Sequence, residues 1–302
     1  TLGYRFALYA QDLMLDQKLL QFAKSQLKGK GFKGAVGTSA SYVSLLDEDK
    51  AAQLEKDIMQ ELGIDAVMVS SQTSPRKLEY FVAQLLSSIA QSLYKFAFDL
   101  RIMQSPGFGE WQEPFSTKQV GSSAMPFKRN PIKSEQICSL ARLVFHLANI
   151  SSDNAAYMLL ERTLDDSANR RIYIPEMFLA IDAILESATK IVDGLVINEK
   201  QIEKNLAIHG PFAATEAVLV SAVKKGANRQ EMHEILRELS MTAWEAIQKG
   251  EQNPLTKLLI HDTKITRFLK TEDLEKLLDP KSHVGLALKK CREFLKLIQQ
   301  NV

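Results

Sequence analysis

The chain has 302 residues, 45% of them hydrophobic and 25% charged, with 38 Lys and Arg against 36 Asp and Glu. That is an ordinary globular composition, and a formal net charge of +2 gives no general grip on nucleic acid or an anionic membrane, so neither is expected as a partner. Any selectivity for an anion must come from local charges.

The two cysteines, Cys138 and Cys291, show no paired spacing and fit buried thiols in a reducing, cytoplasmic setting. No apolar run approaches the ~18 residues of a membrane span. The opening "TLGYRFALYAQDL" is broken by polar and charged residues, unlike a signal peptide, and reads as the start of a helix with the chain entering partway through a domain.

Helical spacing of Phe6, Leu8, Tyr9, Leu13, Leu15, Leu19, Leu20 and Phe22 predicts a helix over 3–28. "KGKGFKGAVGTSASY" (28–42) follows, too rich in glycine for a regular helix. A second helix is expected over 47–62, ended by Gly63. Pro75 then opens a long one over 76–104, lined by Leu78, Phe81, Val82, Leu85, Ile89, Leu93, Phe96 and Leu100. At ~1.5 Å per residue this helix runs about 40 Å, and its broad apolar arc suits the interior of a bundle.

Residues 105–130 are expected to form a loop, with Asn130 as N-cap and Pro131 as first residue of a helix over 132–150. Another helix is expected over 171–196, with Pro175 in its first turn. Beyond about residue 198 the predicted helices shorten, to 199–207, 211–225, 228–249, 271–278 and 284–300. This reads as an all-α chain of two parts: a long-helix bundle over 1–197 and a smaller helical domain over 198–302. No stretch signals a strand.

Two stretches concentrate reactive chemistry. "GSSAMPFKRNP" (121–131) lies in the loop. Gly121 permits a sharp turn that uncovers Ser122. A serine is a base only if its alkoxide is stabilised, by Lys128 or by backbone N–H groups such as those opening the next helix. Glu135 on that helix is placed to orient or neutralise Lys128. "ERTLDDSANRR" (161–171) brings Arg162, Ser167 and Arg171 to a helix start, with Asp165, Asp166 or Ser167 as cap; arginine suits bidentate grip on phosphate or carboxylate. Composition alone leaves the bland alternatives open, a surface loop for the first and a salt-bridged cap for the second. "GAVGTSAS" (34–41) has the look of a phosphate cradle without matching a known fingerprint, and "SSQTSPRK" (70–77) offers Gln72, Thr73 and Arg76. The five histidines have no metal-ligand spacing, and no metal or other cofactor is implied.

Taken together these stretches resemble the fumarase/aspartase superfamily, whose loop motif GSSxMPxKxNP is matched at 121–131. "ERTLDDSANRR", "KRNPIKSE" (128–135), "GFKGAVGTSAS", "SQTSPRK" and "NRQEMHEILRELS" (228–240) are similar, in collinear order, to the adenylosuccinate lyase family, in the branch that includes the animal enzymes. The resemblance implies elimination of fumarate from adenylosuccinate and from the succinyl-aminoimidazole carboxamide ribotide of purine biosynthesis. It makes Ser122 the base, with Ser123 its less favoured neighbour. Lys128 and Asn130 would hold the succinyl carboxylates, with Glu135 supporting the loop. Gln72, Thr38, Ser39 and Met125 would touch substrate, and Arg162, Ser167 and Arg171 would bind the nucleotide and its phosphate.

It also implies a homotetramer with active sites shared between subunits, and a cytoplasmic location. The family's general-acid histidine belongs to a segment ahead of Thr1, so these 302 residues alone are expected to lack lyase activity. Gln136 and Ser39 depart from the family's arginine and glutamine. The alternatives are another lyase or cycloisomerase of the superfamily, or a structural protein on its scaffold.

Overall fold

The computed structural model describes residues 1–115 and 128–301. Among them are twelve α-helices, one 3₁₀ turn and a single two-stranded pairing of Trp111–Gln112 (β1) with Val196–Ile197 (β2). The protein is all-α, as its periodicity predicts. It forms two compact units, one of Leu8–Ile102 with Gln112–Val196, the other of Thr1–Ala7, Met103–Trp111 and Ile197–Val302.

Four long helices frame the first unit: α1 (Leu2–Gln26), α4 (Lys77–Met103), α5 (Ile132–Ala156) and α6 (Asp165–Asp193). Two short ones, α2 (Ala40–Leu46) and α3 (Glu48–Glu61), lie between α1 and α4. Contacts fix the directions. Tyr9 donates to Asp99 at 2.7 Å, Ser88 and Ser92 donate to the buried Asp16, and the Phe22 and Phe81 rings lie 6.0 Å apart, so α1 and α4 run antiparallel. Tyr94 meets Phe145, and Gln84 reaches the Ala148 carbonyl, setting α5 antiparallel to α4. Asn154 at the end of α5 bonds Asn169 at the start of α6. At the other end Gly194, after α6, packs against Pro114, while Glu113 bonds the first turn of α5. The result is an up-down bundle.

The apolar arc of α4 is largely covered within the chain: Leu85, Leu93, Phe96 and Leu100 are buried and Leu78, Phe81, Val82 and Ile89 half-buried. The arc therefore fits the interior of the chain's own bundle and does not itself call for a second copy. Exposed apolar side chains of the long helices include Ile172, Phe178, Leu179, Leu185 and Val192 on α6 and Leu8, Leu13, Leu15 and Phe22 on α1, besides Phe98 and Ile102 on α4.

In the second unit α7 (Glu199–Lys224), α8 (Arg229–Gln248), α9 (Leu255–His261), α10 (Thr263–Thr266) and α11 (Thr271–Leu278) enclose a core that includes Val218, Met232, Leu259 and Ile265; α12 spans Ala287–Asn301. Asn228 caps α8 through Gln230 N and Glu231 N, and Asp262 caps α10 likewise.

The helices do not all shorten here, because α7 runs unbroken through Gly210 and Pro211, where two helices are expected. Gly210 serves close approach rather than termination: a Cβ there would sit 2.3 Å from Pro280 Cγ. By length and composition α7 is apolar enough to cross a membrane, against the reading of the sequence. It places Ala214, Val218 and Ala222 wholly inside this core. Three helices, α2, α9 and α10, escape prediction.

Candidate functional site

Four charged side chains meet between the first turns of α4 and α6. Arg76 Nε donates to Asp166 Oδ2 at 2.5 Å, and Arg76 Nη1 to Glu79 Oε1 at 2.9 Å. Arg170 holds the same Glu79 with two bonds of 2.6 Å, the planar fork that favours arginine over lysine. Two guanidiniums and two carboxylates balance, so Arg76 and Asp166 can be buried at 8% and 1% exposure. Tyr173 packs beside them, its hydroxyl held above the usual phenol range by burial and then by the Glu79 carboxylate. Asn154 and Asn169 exchange amide bonds of 2.8 and 3.0 Å.

The start of α6 departs from expectation. It begins at Asp165, six residues before 171, so Pro175 is its eleventh residue rather than a first-turn one. The cap position is Leu164, with no side-chain bond. Asp166 is turned inward to Arg76 instead of capping. Positions four apart share a face of a helix, so Asp166 and Arg170 form the inner pair. Ser167 and Arg171 form a second pair, rotated by one residue. Arg171 is exposed, Arg162 and Ser167 are half-buried, and neither of these two arginines has an ion-pair partner among the described residues.

The glycine-rich segment joins the same end. Gly29 N donates to Asp65 O at 2.8 Å and Val67 N to Gly29 O at 2.9 Å. Gly37 has φ +83, and a Cβ would lie 1.9 Å from Ser70 O, so only glycine fits. Ser39 N donates to Lys33 O at 2.8 Å, with Ser39 itself at φ 57. The phosphate-cradle reading of 34–41 is thereby narrowed, because the Ser39 N–H already serves the chain's own Lys33 carbonyl. Thr38 and Gln72 are exposed and Ser39 half-buried. Gly37 against Ser70, and Arg76 with Asp166, draw the three segments 34–41, 70–77 and 161–171 to one end of the bundle.

The remaining expected residues lie at the other end. Pro131, not Asn130, occupies the cap position of α5 and makes no side-chain cap bond. The capping group comes from upstream: Glu113, 6% exposed, accepts from Ser134 N at 2.5 Å and Lys133 N at 3.2 Å. Ile132 N donates to Asn130 O and Glu135 N to Pro131 O, both at 2.9 Å. The expectation that these N–H groups stabilise an alkoxide is overturned, since an internal carboxylate already occupies that anion site. Lys128 and Glu135 are exposed and Asn130 half-buried. No ion pair joins Glu135 to Lys128 among the described residues. Arg129 lies 5.2 Å over the Phe115 ring. Ser122, Ser123 and Met125 lie outside the described residues. Among those described, no cluster of three or more His, Cys, Asp or Glu could hold a metal ion.

The two groups are far apart in one chain. Glu135 and Asn154 stand 19 positions apart on α5, roughly 29 Å of helical rise. One small molecule cannot bridge that span. Sequence reasoning singled out neither Glu113 nor Glu79. Glu79 had a signal, three positions after Arg76 at a helix start; Glu113, twenty residues before the N–H it caps, had none.

Two family models match. One, described as "Lyase", covers residues 1–145; the other, "Adenylosuccinate lyase C-terminus", covers 211–294. Among curated proteins, "Adenylosuccinate lyase" of Schistosoma mansoni is 41% identical over 98% of this chain and 62% of its own length. That of Saccharomyces cerevisiae is 39% identical, over 98% and 61%. The chain thus spans about three fifths of the curated relatives it matches. Among solved structures, the 3-carboxy-cis,cis-muconate lactonizing enzyme of Pseudomonas putida superposes with a TM-score of 0.85 at 23% identity, over 99% of this chain and 64% of that one, a likeness of fold. Helical bundle, two lyase models in order and matches along nearly the whole chain agree: from end to end this chain is similar to adenylosuccinate lyases, consistent with a part of a fumarase/aspartase-type lyase.

Proposed function

We propose that the protein carrying this chain is an adenylosuccinate lyase, removing fumarate from adenylosuccinate to leave AMP and from the succinyl-aminoimidazole carboxamide ribotide in the same way. The observation that carries the reading is the identity of 41% and 39% to curated adenylosuccinate lyases over 98% of the chain. In this reading Ser122 takes the proton from the carbon beside a succinyl carboxylate. The electron pair moves onto that carboxylate, where Lys128 and Asn130 stabilise the extra charge. The C–N bond then breaks, and an acid protonates the leaving nitrogen. Glu135 steadies the loop's exit. Arg162, Ser167 and Arg171 take the nucleotide phosphate, with Gln72, Thr38, Ser39 and Met125 lining the rest. Arg162 and Arg171 have no ion-pair partner among the described residues, which supports this, because an anionic ligand then finds guanidiniums that the described carboxylates have not claimed.

The same proposal includes shared sites. The roughly 29 Å between the two ends of α5 calls for at least two copies of the chain around each substrate. The uncovered apolar strips on α6 and α1 offer surface for a homotetramer. The bundle unit, Leu8–Ile102 with Gln112–Val196, carries the chemistry, and the other unit is a further helical domain; the enzyme works in the cytoplasm.

The test is an absorbance assay of adenylosuccinate cleavage by the complete protein, beside Ser122→Ala. The expected loss is about 10²–10⁴-fold in kcat, the range for a lost general base. Unchanged turnover removes Ser122 as base, and no cleavage by the unmodified protein removes the reading.

A further inference from the structure

The buried ionic network has no role in the reaction as proposed, yet Asp166 and Arg170 adjoin two residues that do, Ser167 and Arg171, on the first turns of α6. We propose that Arg76, Glu79, Asp166 and Arg170 are positioning residues. They lock the first turns of α6 onto α4 and so set the affinity of the site for the nucleotide phosphate. The inference rests on the reading that Arg162, Ser167 and Arg171 bind that phosphate.

The argument is geometric. Asp166 and Arg170 are each one residue before Ser167 and Arg171, so the two pairs run side by side along α6. The inner pair is fixed: Asp166 to Arg76 at 2.5 Å, and Arg170 to Glu79 through two bonds of 2.6 Å. Fixing the inner pair fixes the rotation of the helix, and with it the direction of the outer pair. Arg76 also stands four residues after Gln72, so the same ion pair sets the distance from the Gln72 segment to α6. The α6 start gains from such a lock because its cap residue, Leu164, makes no side-chain bond and only Thr163 Oγ1 accepts from Asp165 N, at 3.3 Å.

Phosphate is recognised by planar forks whose value depends on alignment. A small rotation of α6 therefore weakens phosphate binding. It leaves Lys128 and Asn130, at the far end of the bundle, where they were.

The test compares Asp166→Asn, Arg76→Lys and Arg171→Ala in the complete protein. The readouts are KM and kcat for adenylosuccinate and inhibition by AMP and by adenosine, which lacks the phosphate. Asp166→Asn keeps the side-chain shape but loses the charge that holds Arg76. It is expected to raise KM and the AMP inhibition constant about tenfold, with kcat within about threefold and adenosine within about twofold. Arg76→Lys keeps the charge without the fork and is expected to fall between the variant and the unmodified protein.

If Asp166→Asn does not fold, Arg170→Gln at the partly exposed rim of the network carries the test, with the same pattern at about threefold. Equal weakening of AMP and adenosine, or a fall in kcat with KM unchanged, overturns the proposal. AMP inhibition that weakens in Arg171→Ala but not in the network variants overturns it while sparing the phosphate reading. AMP inhibition unaffected by Arg171→Ala overturns that reading, and the inference falls with it.

Discussion

Glu113 shows how one residue can decide what a helix end is for. A helix start with four free N–H groups attracts anions, and the sequence places such a start just after the serine loop. Glu113 fills it from outside, with bonds to Lys133 N and Ser134 N. The positive charge that faces solvent at this end is then that of exposed side chains such as Lys128, rather than that of the backbone. Glu113→Ala leaves one buried and one half-buried donor, Ser134 N and Lys133 N, without their acceptor and is expected to lower stability by about 1–3 kcal/mol. Glu113→Gln, which keeps one acceptor oxygen, should recover part of it. Thermal melts of the two variants beside the unmodified protein check this; equal melting temperatures for all three would show that the cap contributes nothing.

At the scale of elements, much of the chain was legible because long helices repeat their signal. The start and end of α4 fall within one residue of the expected 76–104, where Pro75 before it and Pro106 after it punctuate a strong period. What failed was punctuation that serves tertiary contact. Gly210–Pro211 reads as a break, yet α7 continues, because the glycine makes room for Pro280. The start of α6 was placed late because its first turn is polar and its inward Asp166 belongs to a partner 90 residues away. Local pattern carries no trace of such a partner.

The loop motif and the arginine cluster could be read from residues. That they lie at opposite bundle ends could not, since it depends on helix direction. Gly210→Ala weighs the first point. Alanine gains about 1 kcal/mol of helix propensity over glycine, whereas overpacking against Pro280 costs about 1–3 kcal/mol. The net expectation is a loss, read as a lower melting temperature; a gain would mean that Gly210 is a tolerated helix weakness and nothing more.

For the whole molecule, helix direction is the fact with most consequence. α4 and α6 begin where α5 ends, so Gln72, Arg162, Ser167 and Arg171 gather at one end. Lys128, Asn130 and Glu135 gather at the other, where α5 begins. If both groups act on one substrate, they must come from different copies of the chain. A closed symmetric assembly supplies this, because each copy gives one end to each of two sites.

The most direct measurement mixes two variants of the complete protein, Ser122→Ala and Arg171→Ala, each impaired at one end. They are dissociated together, reassembled, and assayed at substrate below KM. Random reassembly gives sites that draw both intact ends from the right copies, and activity is expected to return to roughly a quarter of that of the unmodified protein. If the mixture stays no more active than the average of the two variants alone, each site is built from a single chain, and the account of a divided site is wrong.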